Sequence, residues 1–173
     1  MPRINLGVAI SVPHPWRDEL SAWRERVGDP EGARVPPHVT LLPPTQVLAA
    51  RIEEIDEHLA ATADGCRPFE MHLSGTGTFR PVSDVVFVVV ATGIAQCEQL
   101  ERRVRSGPLD RETRFPYHPH VTVAHDIPAA GLDAAYGGLA GFEARFPVTG
   151  FTAFEQAAGG VWVPRRDFVL RGR

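Results

Sequence analysis

The chain contains no lysine: all 18 of its basic residues are arginine. That absence excludes Schiff-base chemistry, a lysine-bound pyridoxal phosphate and a phosphate-binding loop ending in Lys-Ser/Thr. It also excludes a ligase that carries AMP on a lysine. An arginine-only complement is most simply a mark of GC-rich coding, and the abundant Ala, Gly and Pro fit that origin. Cysteine is nearly absent as well. Cys66 and Cys97 are the only two, without close spacing, and read as reduced thiols of a cytoplasmic protein. No apolar run is long enough to span a bilayer. The segment 1–12 has one early charge at Arg3 and then only about nine mostly apolar residues, with no signal cleavage site after them. The formal net charge of −3 argues against a broad basic nucleic-acid surface, though a local arginine cluster could still hold a phosphate.

What is present suits one globular domain. In 173 residues, 43% are hydrophobic and 23% charged. Folding a chain of this length buries roughly 70% of its unfolded surface, so neither disulfide nor metal is needed to hold it. Ile4–Val12 reads as a first strand, ended by Pro13 and Pro15. Apolar residues at 16, 20, 23 and 27 trace a helix face stopped by Gly28-Asp29-Pro30. A second strand is expected over 35–42 and a helix over 48–61. Strands follow over 69–79 and 84–92, then a helix over 94–104, a strand over 118–126 and a glycine-containing helix over 128–139. Two closing strands, 142–154 and 161–170, would turn at Gly159-Gly160.

The element order strand–helix–strand–helix–strand occurs twice. A shift of 82 residues lays His38-Val39-Thr40 on His120-Val121-Thr122. The expectation is one α+β domain, 1–173, with pseudo-repeat lobes of about 1–83 and 84–173. Each lobe would be an antiparallel sheet, with helices outside and a cleft between the two.

Side chains two apart on a strand share a face. Each tripeptide therefore sets an imidazole beside a hydroxyl, with the valine pointing oppositely. By composition about 0.4 His-x-Thr matches would arise by chance, so context carries the weight. Both tripeptides lie on expected strands, both follow proline, and both hold equivalent places in the repeat. Two imidazoles at one cleft can divide proton transfer, one accepting and one donating near neutrality. Two hydroxyls can hold the non-bridging oxygens of a phosphate during in-line displacement. The plainer alternative is a pair of strand histidines satisfied by backbone or solvent.

The segments PPHVTLLPP (36–44) and FPYHPHVTVAH (115–125) resemble the motifs of the two-histidine (2H) phosphoesterase superfamily. The branch is that of RNA 2′,5′-ligases and 2′,3′-cyclic phosphodiesterases. The resemblance covers nearly the whole chain. It implies His38 and His120 as the catalytic proton-transfer pair; family analogy favours His120 as base and His38 as acid in hydrolysis, while the residues themselves leave the two roles interchangeable. It implies Thr40 and Thr122 as phosphate ligands, no cofactor, and ligation only as reversed cleavage. The implied partner is an RNA end or a small nucleotide, with neither a membrane nor an obligate protein partner. Many family members carry arginine shortly after the second motif; here that position is His125, which leaves the substrate subtype open.

Arg114, Phe115, Tyr117 and His118 are candidate substrate-binding residues. The arginine could hold a terminal phosphate and the aromatics could stack on a base. Packing of that loop on the core is the alternative. His118 shares a strand face with His120, whereas His125 has the opposite parity. A metal-dependent hydrolase built on His118 and His120 is a rival reading, but no third ligand has characteristic spacing. A nucleotide- or RNA-binding module without turnover is another. Trp162, Arg165 and Arg166 invite the same division between substrate contact and packing. Arg102, Arg103 and Arg105 read as a solvated helix face.

Overall fold

The computed structural model describes all 173 residues. The chain opens with β1 (Arg3–Ser11), α1 (Trp16–Arg26), β2 (His38–Leu48) and α2 (Ile52–Asp64). It continues through β3 (Phe69–Thr78), β4 (Val85–Thr92), α3 (Ile94–Val104), β5 (His120–His125) and α4 (Ala129–Gly138). It closes with β6 (Glu143–Val148), β7 (Gly150–Gln156) and β8 (Trp162–Val169). The class is α+β, as the sequence implies. The two antiparallel halves are continuous, forming one eight-stranded sheet in the order β6-β3-β4-β5-β2-β1-β7-β8. They join between the two motif strands, where Val39 pairs with Val121.

The halves interleave along the chain. β3 lies before residue 83 in sequence but pairs with β4 and β6, in the half that holds β5. β7 and β8 lie late in sequence but extend the half that holds β1 and β2. The expected strand over 142–154 is therefore two strands in different halves. Gly150 marks the switch: a Cβ there would stand 2.6 Å from the Phe168 carbonyl of β8. Alternation continues through Thr149, so hydrophobic pattern alone does not register the change of partner.

β2 also runs past its expected end at residue 42, through Pro43-Pro44 to Leu48. The prolines fall where the β1–β2 register shifts between Leu6 and Val8, so they remove little of the regular ladder. The expected helix start at residue 48 is displaced into a short 3₁₀ turn, Ala49–Arg51, ahead of α2. The turn at Gly159-Gly160 forms as expected, both residues taking positive φ.

One cluster of 37 buried apolar residues spans both halves, so they share a core. α3 buries Cys97, Leu100 and Val104, and α1 buries Leu20. Trp23 of α1 lies so close to α4 that a Cβ on Gly138 would meet its ring at 2.0 Å. That approach explains a glycine as the last residue of α4. Both cysteines are free and buried. Burial, with the charge of Glu98, pushes the Cys97 thiol up to about 12. No helix is long and apolar enough to cross a membrane.

Candidate active site

The Val39–Val121 pair sets the geometry of the site. Both valines are fully buried, so His38, Thr40, His120 and Thr122 lie on the opposite, half-buried face. Continuing the antiparallel register from that pair places His38 across from Thr122 and Thr40 across from His120. Each imidazole thus has a hydroxyl two residues along its own strand and another across the join.

The two rings are held alike. His38 Nδ1 donates to the Pro36 carbonyl at 2.8 Å, and His120 Nδ1 donates to the His118 carbonyl at 2.6 Å. A carbonyl only accepts, so Nδ1 carries the proton and Nε2 is the free nitrogen in each neutral ring. In both motifs the accepting residue precedes a proline, Pro37 or Pro119, which favours extended backbone at that residue. Burial pushes the pKa of His38 down; its backbone hydrogen bond opposes this, and the Arg24 charge adds to it. Burial likewise lowers His120, opposed by its backbone hydrogen bond and helped by the charges of His118 and His38.

A one-residue bulge follows each motif. In β2, Val8 pairs with Leu42 and Ala9 with Thr40, leaving Leu41 as the extra residue. In β5, Val86 pairs with Ala124 and Phe87 with Thr122, leaving Val123 as the extra residue. Bulges re-aim the side chains beyond them. The parity that turns His125 away from the cleft is therefore reversed, and His125 lines a cavity with His38 and Thr122. Simple alternation misses this because it counts every residue as one step of the pleat.

Two cavities flank the motif strands and share Thr40. The first, about 470 Å³, is lined by His38, Thr40, Thr122, His125, Arg24 and Trp162. The second, about 610 Å³, is lined by Thr40, His120, Phe79, Arg111 and the whole candidate run Arg114, Phe115, Tyr117 and His118. The four motif residues, the run 114–118 and Trp162 thus fall in one cavity or the other, whereas Arg165 and Arg166 line neither. The sides differ because β1 and β4 do. Ala9 pairs with Thr40 where Phe87 pairs with Thr122, an offset of 78 along the chain, not 82. The small Ala9 lines the first cavity. Instead Phe87 lies tilted against His120, and Phe79 packs perpendicular to it, at centroid distances of 5.2 and 5.0 Å.

The loop before the second motif is partly structural. The Tyr117 hydroxyl donates to the Thr40 carbonyl at 2.7 Å while its ring packs on the core, and burial raises its pKa. Phe115 is 66% exposed with the Arg114 guanidinium over its ring, so both are available to a ligand. His118 and His120 stand 5.7 Å apart between ring centroids. No group of three or more His, Cys, Asp or Glu side chains is placed to hold a metal ion. Arg165 is committed elsewhere, gripping Asp56 of α2 through both Nη atoms at 2.6 and 2.9 Å. Arg166 lies over Phe168. Arg103 and Arg105 are not a merely solvated face: Arg103 donates to the Gly65 carbonyl, and Arg105 pairs with the buried Glu101.

This fold and paired-motif cleft define a class, and comparison with known proteins bears on it directly. A family profile described as 2′-5′ RNA ligase superfamily matches residues 12–160, and the chain belongs to that family. A protein of Bacillus mycoides (strain KBAB4), described as a candidate phosphoesterase, is 28% identical over 169 residues, covering 96% of this chain and 97% of its own. Among solved structures, E. coli LigT complexed with 3′-AMP superposes with a TM-score of 0.74 at 21% identity. The same enzyme complexed with NADP+ gives 0.71 at 26% identity. Each covers 98% of this chain and 99% of the other.

Proposed function

We propose that the protein is a metal-independent phosphodiesterase acting on 2′,3′-cyclic phosphates, 2′,5′-linked nucleotides or RNA ends. The observation that carries this reading is the antiparallel crossing at Val39–Val121. It gives each of two half-buried imidazoles a free Nε2 and sets a motif hydroxyl across the join from it. Family membership supports phosphoester chemistry. The NADP+ held by the LigT structure supports a nucleotide-sized substrate. Location in the cytoplasm fits the two free thiols.

In hydrolysis, His120 Nε2 takes a proton from water as its oxygen attacks phosphorus. The ribose oxygen leaves on the opposite side, taking a proton from His38. Thr40 and Thr122 donate hydrogen bonds to the non-bridging oxygens. The turn leaves His120 protonated and His38 neutral, and exchange with solvent resets both. Reversal exchanges the roles and gives weak 2′,5′-ligation without an adenylated intermediate. In the second cavity, Phe115 offers a face to a base, Arg114 a charge to a phosphate, and His118 an edge beside His120.

The test is a panel of 2′,3′-cyclic mononucleotides, cyclic-phosphate-ended RNA and 2′,5′-linked dimers, with product phosphate position read by ³¹P NMR. The proposal expects turnover of at least one class, unchanged after EDTA dialysis. Tight nucleotide binding without cleavage of any of them would instead assign a binding module. Loss of activity on EDTA treatment would assign a metal.

A further inference from the structure

Arg24 belongs to α1, outside both motifs, yet it lines the first cavity with His38, Thr122 and His125. Its side chain is only 8% exposed. The stem is walled in by the 3₁₀ turn Pro30–Ala33, where a Cβ on Gly32 would stand 3.1 Å from Arg24 Cγ. Half of its fork is occupied: Nε donates to Asp29 Oδ2 at 2.8 Å. That same oxygen accepts from the His125 backbone N–H at 3.0 Å, and Oδ1 accepts from Glu31 N at 2.9 Å. Asp29 thereby ties the guanidinium to the end of β5, one residue beyond the bulged Val123-Ala124 pair.

The Nη1 and Nη2 groups make no hydrogen bond to the protein. No buried side-chain nitrogen or oxygen lacks a partner, so both groups keep some exposure. The space that Arg24 lines is the cavity. Two of the three acids around that cavity are paired with arginines, and the third stands beside a histidine. Asp29 takes the Arg24 Nε, Glu31 takes Arg34 Nη1 at 2.6 Å, and Asp126 stands 3.2 Å from His125 Nε2. What remains is a guanidinium whose two Nη amino groups have no protein acceptor, on a residue that lines one cavity with His38 and Thr122.

We infer that Arg24 is an anion-binding residue of the first cavity, offering its Nη edge to a phosphate oxygen of the ligand held beside His38 and Thr122. The identity of that ligand as a phosphodiester rests on the function proposed above; the anion site itself does not. The inference also gives the His125 position a physical sense. A chain without arginine after its second motif has a guanidinium in the same cavity, brought there by α1. Asp29 fixes the orientation of the group but leaves the donors that suit a phosphate free.

The test uses inorganic phosphate as the probe and its Kd at pH 7 as the readout. Asp29→Asn keeps an oxygen for Arg24 Nε and His125 N–H and removes the neighbouring negative charge, giving up only the bond from Glu31 N–H. Phosphate should bind this variant two- to tenfold more tightly than wild type. Adding Arg24→Gln to it should weaken binding at least tenfold relative to Asp29→Asn alone, with thermal melts confirming the fold. Binding by the folded double variant within twofold of Asp29→Asn would overturn the inference. If that variant does not fold, arginine side-chain ¹⁵N NMR of the wild type decides. The Arg24 Nη signals should move with phosphate at the same midpoint as the His38 ring, and stationary signals would overturn it. Wild-type turnover with an unresponsive Arg24 removes the anion site and leaves the proposed function. A responsive Arg24 without turnover does the reverse.

Discussion

Val39 stands opposite Val121, and this pair fixes which hydroxyl lies across the join from which imidazole. His38 faces Thr122 and His120 faces Thr40, so a phosphate centred on the join meets a hydroxyl from each strand. Thr40→Val and Thr122→Val preserve shape and remove only the hydroxyl. Each should lower kcat/KM by about ten- to a hundredfold, the range for a lost hydrogen bond to a charged group. Steady-state kinetics on a 2′,3′-cyclic nucleotide, with melts as fold controls, checks this. Wild-type kcat/KM in either variant would remove that threonine from the phosphate site.

Both imidazoles have pKa values below the ordinary 6.5, chiefly through burial. The proposed two-histidine catalysis needs one ring neutral and the other protonated in the free enzyme, a state most populated between the two lowered values. The pH profile of kcat/KM should therefore be bell-shaped, with its maximum on the acidic side of 6.5. A maximum well above pH 7 would contradict the environments described here.

The same shifts act on stability. A lowered folded-state pKa means the unfolded chain binds protons first as pH falls below about 6.5. The contribution is complete above that value and is lost progressively as pH falls through the folded-state pKa values. The wild-type Tm should fall between pH 7 and pH 5. The double variant His38→Gln with His120→Gln should lose less over the same interval, as calorimetry at several pH values would show.

Gly77 lies opposite Phe87 in the β3–β4 pairing, and a Cβ there would meet the Phe87 ring at 2.7 Å. That ring also packs against the His118 and His120 rings. Gly77→Val should displace it and lower kcat by up to about 10²-fold, the cost of a small misplacement at a reacting group. A shifted His120 ring signal in NMR should accompany the loss. Gly137→Ala on α4, where a Cβ meets nothing within 4 Å, should raise Tm slightly and leave kcat unchanged.

Much of this was legible in the sequence because the motifs carry their own context. A proline before each histidine and a valine between histidine and threonine encode an extended backbone, an anchored ring and a buried anchor. The helical stripe at 16, 20, 23 and 27 and the apolar run at 85–90 likewise mark α1, which ends with Val27 as its C-cap, and β4. What was hidden depends on pairing. The bulges at Leu41 and Val123 are set by the partner strands, so the parity of His125 cannot be counted along its own strand. The division of 142–154 into β6 and β7 is a change of neighbour, not of pattern. Asp29 reads locally as part of a helix stop. Its role in joining Arg24 to His125 exists only once α1, the following turn and β5 are packed together.

The most direct test of the central claim is turnover of a 2′,3′-cyclic nucleotide by His38→Ala and by His120→Ala, with circular dichroism to show that each is folded. The two-histidine account predicts that each substitution lowers kcat by roughly 10²–10⁴-fold. Hydrolysis at near wild-type rate by either folded variant would contradict it.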